Sequence, residues 1–423
     1  MKFSLLRLFF ISAIAIFLFL INCVFGVLDV FFEPASDSPI ANAGPDQTCK
    51  VGEYIFLDGT ASFQGKGGRI NWWEWEYAED SPRCNYLPMG ETNSTGYVGF
   101  DNPGTYTIFL TLKDVSGNIS KPDTMIVEVY PREKILFEDP NLEICIRWSL
   151  EKPNGDFLEN ELTSITYLKL LNSIKNDVIS LNGIYHCGNL EHLHAPLQNI
   201  SNISDLGKLT KLTKLVIDQQ RVLSDITPLS GLTNLEHLDL NDNIIEDISP
   251  LAGMEKLEYL DLRFNHVKDI SCLENLVNLK LLWFVNGEFG EISSVRNMLK
   301  LERLKFHQCK VSDISALKDL KNLVSLEADL NSISDISPLA ELENLKVLML
   351  GENIIEDISS LENLTNLNHL RLWGNMIKDL GPLVRNDGIG KGDILYIKNN
   401  PLSERSINEY IPALRQRGVE VEY

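Results

Sequence analysis

Apolar residues recur with a 22-residue period through the larger part of the chain. Counted from Leu232, they fall at positions 1, 4, 7, 9, 14, 17 and 20: Leu232, Leu235, Leu238, Leu240, Ile245, Ile248 and Leu251. Units begin at Leu162, Cys187, Leu209, Leu232, Met254, Leu276, Met298, Leu320, Leu342 and Leu364, with an incomplete one near Ile389. Every step from Leu232 to Leu364 is 22 residues, and the earlier steps are 25, 22 and 23. Positions 7 and 9 alternate as a strand does. Position 12 holds Asn243, Asn265, Asn331, Asn353 and Asn375. One unit has too few apolar residues to bury its own face, so the pattern predicts stacked coils sharing one core.

The flanks of this pattern read as caps. Asp139 and Pro140 have the chemistry of a helix start, N-cap then N1. Leu142, Cys145, Ile146 and Leu150 follow on one face of that helix. At the far end Ser403 opens a second helix carrying Ile407, Ile411 and Leu414. Gly418 ends it, and Val419 and Val421 are placed to add a last strand.

Upstream the texture changes to short β-type runs separated by turn residues. Tyr106, Ile108, Leu110 and Leu112 alternate on one predicted strand face, opened by Pro103-Gly104 and closed by Asp114-Val-Ser116-Gly117. Residues 125–129 form another such run. Turn signals at this density over about 90 residues predict a β-sandwich.

At the N-terminus an uncharged run from Leu8 to Leu28 follows Lys2 and Arg7. Three readings fit it: a signal peptide cleaved after Gly26, a lipobox-like Leu20-Ile21-Asn22-Cys23, and an uncleaved anchor with its basic end cytoplasmic. All three export the remainder. The expected organisation is an export segment or anchor (1–28), a linker (29–38), a β-sandwich (39–131), a helical cap (132–161), repeats (162–400) and a C-terminal cap (401–423).

Two families are resembled. Ala41-Asn42-Ala43-Gly44-Pro45-Asp46-Gln47, Val51-Gly52-Glu53, Leu57-Asp58-Gly59-Thr60-Ala61-Ser62 and Pro103-Gly104-Thr105-Tyr106 resemble a PKD domain. Trp75-Glu76-Tyr77-Ala78-Glu79-Asp80 lacks the glycines usual after that family's Trp. Such domains are usually extracellular spacers or contact modules. The string Leu-x-x-Leu-x-Leu-x-x-Asn matches the leucine-rich repeat. With Asp247–Leu251 and Asp335–Leu339 reading Asp-Ile-Ser-Pro-Leu, it is similar to the bacterial internalin-like class. The resemblance implies a mixed fold: an immunoglobulin-like all-β sandwich, then a solenoid with a parallel sheet on its concave face. It also implies adhesion-type recognition of a protein.

Charge narrows the partners. With 38 basic and 59 acidic side chains the formal net charge is −21, which argues against nucleic acid and against docking on an anionic membrane surface. An acid stands at position 16 of coil after coil: Asp247, Asp269, Glu291, Asp313, Asp335, Asp357 and Asp379, with Asp225 one place late after an insertion. One carboxylate per coil lacks chelating geometry, so the row reads as local capping of turns rather than a calcium site. Cysteines are few: Cys145, Cys187 and Cys309 read as buried thiols, and Cys272 replaces a turn proline. Cys49 and Cys84 are the sandwich's own pair, open both to a disulfide and to free thiols.

No catalytic constellation emerges. His192-x-His194 is the single close histidine pair on one face, and Lys214 and Val216 stand where a third ligand would have to be. No phosphate loop, zinc-protease or nucleophile-elbow motif is present. The sequence thus indicates no enzyme, no metal and no cofactor.

A partner is expected instead on the outward strand positions 6, 8, 10 and 11. These carry Tyr259, Arg263, Phe264, Trp283, Arg303, Lys305, Met349, Arg371, Trp373 and Tyr396. Trp, Tyr and Arg are the side chains that dominate interface energy. Phe264–Trp283 and Arg371–Trp373–Tyr396 are the expected anchors. The competing reading has these aromatics merely covering neighbouring strands. Around Asn286-Gly287 and residues 289–294 the repeat departs from its pattern, and a local bend beside Trp283 is expected there. The sequence points to an exported, monomeric recognition protein for a protein ligand or a glycan. The alternatives are a structural envelope or matrix component and, behind it, a carbohydrate-active or proteolytic enzyme, for which no catalytic pair is seen.

Overall fold

The computed structural model describes residues 37–78, 94–170 and 177–423. It divides into two units, residues 1–133 and 134–423. Among the described residues no helix is long and apolar enough to cross a membrane. The N-terminal segment 1–28, with Cys23, lies outside them, as does Cys84.

The first unit is a two-sheet β module. Strands β1 (Gln47–Lys50), β3 (Ile70–Tyr77), β5 (Gly104–Asp114) and β6 (Asp123–Tyr130) form one sheet in the order β1-β6-β5-β3. The other consists of β2 (Tyr54–Asp58) paired with β4 (Thr95–Gly99). The predicted alternation is observed: Tyr106, Ile108, Leu110 and Leu112 are all buried against Leu57, Trp75, Val98 and Val127. The buried Tyr106 hydroxyl donates to the Asn102 carbonyl at 2.8 Å, which satisfies it as burial demands. Asp and Asn side chains close the connections by accepting backbone N–H bonds, Asp123 from Ala43 (2.8 Å) and Asp114 from Ser116 (2.9 Å) among them. Cys49 is buried without a disulfide partner among the described residues.

The second unit is the solenoid. Its sheet runs without interruption through β7 (Tyr167–Lys169), β8 (His192–His194), β9 (Lys214–Val216), β10 (His237–Asp239), β11 (Tyr259–Asp261), β12 (Leu281–Val285), β13 (Arg303–His307), β14 (Ser325–Glu327), β15 (Val347–Met349), β16 (His369–Arg371), β17 (Ile394–Tyr396) and β18 (Glu420–Glu422). All neighbours are parallel, and each central residue of the regular coils pairs with the one 22 places on, as Leu238 with Leu260. Position 7 of every coil points into one contiguous leucine core. The opposite side carries a short 3-10 turn in the coils up to Ser359–Leu361 and an α-helical turn, Gly381–Arg385, in the next.

Two polar devices repeat with the coils. The position-12 asparagines form an internal ladder. Asn353 Nδ2 donates to the Ala328 and Leu350 carbonyls (3.0 and 3.1 Å), while its Oδ1 accepts from Ile333 N–H (2.9 Å). Gln220 serves the same role earlier, accepting from Ile200 N–H at 3.0 Å. At the 23-residue step the ladder is imperfect: Asn243 Oδ1 is enclosed without a donor. The position-16 aspartates cap the turns, each accepting the N–H two residues on at 2.7–2.9 Å, from Asp225 through Asp379.

Both ends are closed. Asp139 caps the helix Pro140–Ser149 by accepting from Asn141 N–H (2.8 Å), and its second oxygen takes Ile179 N–H (2.6 Å), fastening the helix to the first coils. Leu142, Cys145 and Ile146 face the core. At the far end helical turns from 404 to 416 bury Ile411 and Leu414, Gly418 adopts φ 90°, and β18 completes the sheet.

The irregular coil keeps its place in the sheet. There β12 and β13 lengthen to five residues each and pair in unbroken register from Leu281–Arg303 to Val285–His307. Gly287 and Cys309 occupy the ladder position in these two coils, so the asparagine bonds are missing. Phe284 and Phe289 fill the interior instead, with ring centroids 5.0 Å apart. A side chain at Gly287 has no room: a Cβ there would stand 2.5 Å from the Phe289 ring.

Candidate binding face of the solenoid

Strand alternation sends positions 6 and 8 outward, so every outward side chain lies beside its counterparts one coil before and after. The expected face residues therefore form columns. Tyr259, Arg303, Val347 and His369 belong to one; Asp261, Trp283, Lys305, Met349, Arg371 and Tyr396 belong to the next. Position 11 has a backbone property that the repeat pattern does not display. From Leu197 through Phe264 to Asn399 it holds a left-handed conformation, with φ between 51° and 67°. Phe264 is such a residue, and its ring is 49% exposed.

The structure brings one aromatic group together around Trp283. His237 stacks on Tyr259 (centroids 3.9 Å, planes 14° apart), and Tyr259 meets Trp283 edge-on at 5.8 Å. The Arg263 guanidinium lies 4.6 Å over the Trp283 ring. Arg263 is held there by the fully buried Asp261, with Nη2 to Oδ2 at 2.6 Å and Nε at 2.9 Å from both oxygens. Of the two residues expected as anchors here, Trp283 is the one joined by Tyr259 and Arg263. Phe264 stands on the next column, its N–H bonded to the Val285 carbonyl.

A second group forms near the C-terminal end. Arg371 lies 5.3 Å over the Tyr396 ring and its Nε approaches His369 Nε2 at 3.2 Å. Trp373 lies across the bare backbone of Gly351; a Cβ on that glycine would come within 2.2 Å of the indole nitrogen. The glycine of one coil therefore seats the tryptophan of the next. Sequence reasoning had no signal for this pairing except that the two residues share position 10. Between the two groups Lys305 pairs with Glu327 at 2.7 Å, His307 faces Asp329 at 3.8 Å, and Arg303 is exposed.

Burial shifts the protonation of this face. Desolvation drives the Asp218, Asp239 and Asp261 carboxyls up from the ordinary range, opposed by the hydrogen bonds that Asn241 and Arg263 give to the last two. It pushes His237 down to about 4, with Lys214 adding to the effect. The thiols are inert by the same cause: burial raises Cys187 and Cys309 to about 12 and Cys272 to about 11.

Family comparison agrees with this architecture. Leucine-rich-repeat models match residues 210–267 and 343–385, and a PKD-domain model matches residues 36–129. An internalin (inlF) of Listeria monocytogenes is 30% identical over 68% of this chain and 96% of its own, with a TM-score of 0.48. Internalin C2 (inlC2) of the same organism is 33% identical over 55% of this chain and 92% of its own, TM-score 0.44. No curated protein matches. By its matched domains, its 22-residue repeat and its identity to these two proteins, the chain belongs to the internalin-like leucine-rich repeat proteins and carries a PKD domain ahead of the repeats.

Proposed function

We propose that the chain is an extracytoplasmic recognition protein that binds a protein ligand on the concave face of its solenoid, with the PKD domain as spacer or accessory contact. One observation carries this reading. The outward columns present two groups in which an arginine is stacked on an aromatic ring, Arg263 on Trp283 and Arg371 on Tyr396. Such amphipathic, pre-positioned side chains are what interface hot spots are made of. Internalin-like membership supports an adhesion-type role, and the N-terminal apolar run supports export or a membrane tether. Residues with a role are Tyr259, Arg263, Phe264 and Trp283 in the first group. Met349, Arg371, Trp373 and Tyr396 supply the second, and Arg303 and Lys305 bridge them.

The test is capture of a protein from the extracytoplasmic milieu by the wild type and by Trp283→Ala/Trp373→Ala. Loss of one specific band with the variant supports the reading. Equal capture of the same protein overturns it, and would favour a solenoid serving as a structural component.

A further inference from the structure

We propose that one end of the PKD domain docks on an anionic lipid surface, that of the bilayer to which the N-terminal apolar run tethers the chain. This rests on the tethered form of the reading above and adds a second membrane contact to it. Three stretches meet at that end: residues 37–40, 63–69 and 113–119. Ile40 and Phe63 exchange backbone hydrogen bonds at 2.9 and 3.0 Å. The Asp37 carbonyl accepts from Gly67 N–H at 3.2 Å and from Asn118 Nδ2 at 3.1 Å. Val115 N–H donates to the Arg69 carbonyl at 3.0 Å, and Ile119 forms a β-bridge with Lys113. These bonds gather Ile40, Phe63, Val115 and Ile119, each more than half exposed, on adjoining loops. A single exposed apolar side chain needs no explanation, whereas four together mark a contact surface.

Charge and chain length say what covers this end. The net charge of −21 conceals a local reversal. Among the described residues from 37 to 130 five side chains are basic: Lys50, Lys66, Arg69, Lys113 and Lys121. The last four are exposed on these stretches or within two residues of them. Asp37 is the one exposed acid among the described residues there, because Asp114 is buried and accepts from Ser116 and Asn118 N–H. Screening confines such charges to about 8 Å at physiological salt, so a headgroup layer meets this end and not the chain's total charge. Eight residues, 29–36, separate Leu28 from Asp37. At full extension they reach about 28 Å, close to the breadth of a small domain. A tether ending at Leu28 therefore brings to the bilayer the end where Asp37 is fastened. Apolar side chains interspersed with lysine and arginine suit the boundary between acyl chains and anionic headgroups.

The test uses the full chain reconstituted with vesicles of phosphatidylcholine alone or mixed in equal parts with phosphatidylglycerol. Flotation shows whether the chain travels with the vesicles, and hydrogen exchange read by mass spectrometry reports on the docking end. Amides of residues 63–69 and 113–119 are expected to exchange about fivefold more slowly on the mixed vesicles than on phosphatidylcholine. Phe63→Ser/Ile119→Ser and Lys66→Gln/Arg69→Gln are each expected to abolish that difference and still float. Tyr54→Ser/Tyr97→Ser, which removes two exposed rings from the β2–β4 sheet instead, is expected to keep it. Circular dichroism and urea midpoints verify that all three variants fold. A floating chain with equal exchange on both vesicles overturns the docking and leaves the tether standing. So does a difference that survives the first two variants or is lost equally with the third. A chain that does not float overturns the tether and the docking with it.

Discussion

The turns and the concave face both carry rows of aspartate, and the two rows are under opposite electrostatic conditions. Each turn aspartate accepts an N–H two residues on, and Asp269 and Asp357 take a serine hydroxyl on the second oxygen as well. These bonds hold Asp225, Asp269 and Asp313 below the usual carboxylate range. On the face, burial raises Asp218, Asp239, Asp261 and Asp329. One row is favoured as an anion by its hydrogen bonds; the other is penalised as an anion by its burial. The same residue type thus takes opposite shifts according to whether bonds to backbone N–H groups or removal from water dominates its surroundings.

The comparison can be broken in several ways. The largest effect is expected at Arg263→Leu, which leaves Asp261 buried and unpaired. We expect a loss of about 3 kcal/mol, the cost of stranding one member of a buried pair, read as a fall in the urea midpoint. Adding Asp261→Leu should recover most of it; a double variant as unstable as the single would refute the pairing. In the interior, Gly287→Asn restores the repeat's own residue yet is expected to destabilise by roughly 1–3 kcal/mol, because the site is overpacked against Phe289. A stabilised variant would show that the missing asparagine, not the aromatic filling, governs that coil.

Asp335→Ala removes one turn cap and is expected to cost about 1 kcal/mol. Asp239→Asn, on the face, is expected to raise the midpoint at neutral pH, since it deletes a desolvated charge. If both substitutions shift the midpoint the same way, the two rows are not different in kind.

The smallest effect is in the pH profile. Asp225, Asp269 and Asp313 contribute stability that is present above their unfolded pKa of about 3.9 and is lost as pH falls through their lowered folded values. Face aspartates act in reverse: their contribution is full below about 3.9 and is lost as pH rises through their raised folded values. Midpoints measured from pH 3 to 8 should therefore fall on both sides of a maximum in the acid range. Asp218→Asn/Asp239→Asn should flatten only the upper side. Flattening of the lower side instead would reverse the assignment.

Much of this was legible in the chain. The 22-residue period placed the core leucines, the ladder asparagines and the capping aspartates, because each is dictated by its own coil. Asp139, Pro140 and Gly418 marked the caps for the same local reason. The face was legible as a set of residues but not as an arrangement. Tyr259, Trp283, Arg263 and Tyr396 were visible, yet that His237 stacks on Tyr259 and Arg263 on Trp283 was not. Near Asn286, where the repeat departs from its pattern, β12 and β13 are instead lengthened to five paired residues, a feature of strand pairing between coils that the period does not display.

The sequence by itself determined the repeat, its caps, the sandwich ahead of it and the side of each strand that faces out. Those follow from periodicity, since a residue's burial in a coil depends on its position in that coil. The tertiary structure alone decided which outward residues meet: Trp373 over Gly351, Arg263 over Trp283, His237 on Tyr259. Each of these contacts joins residues about 20 places apart or more, or turns on which rotamer a neighbouring coil leaves room for. Side-chain packing between coils, not the period, sets them.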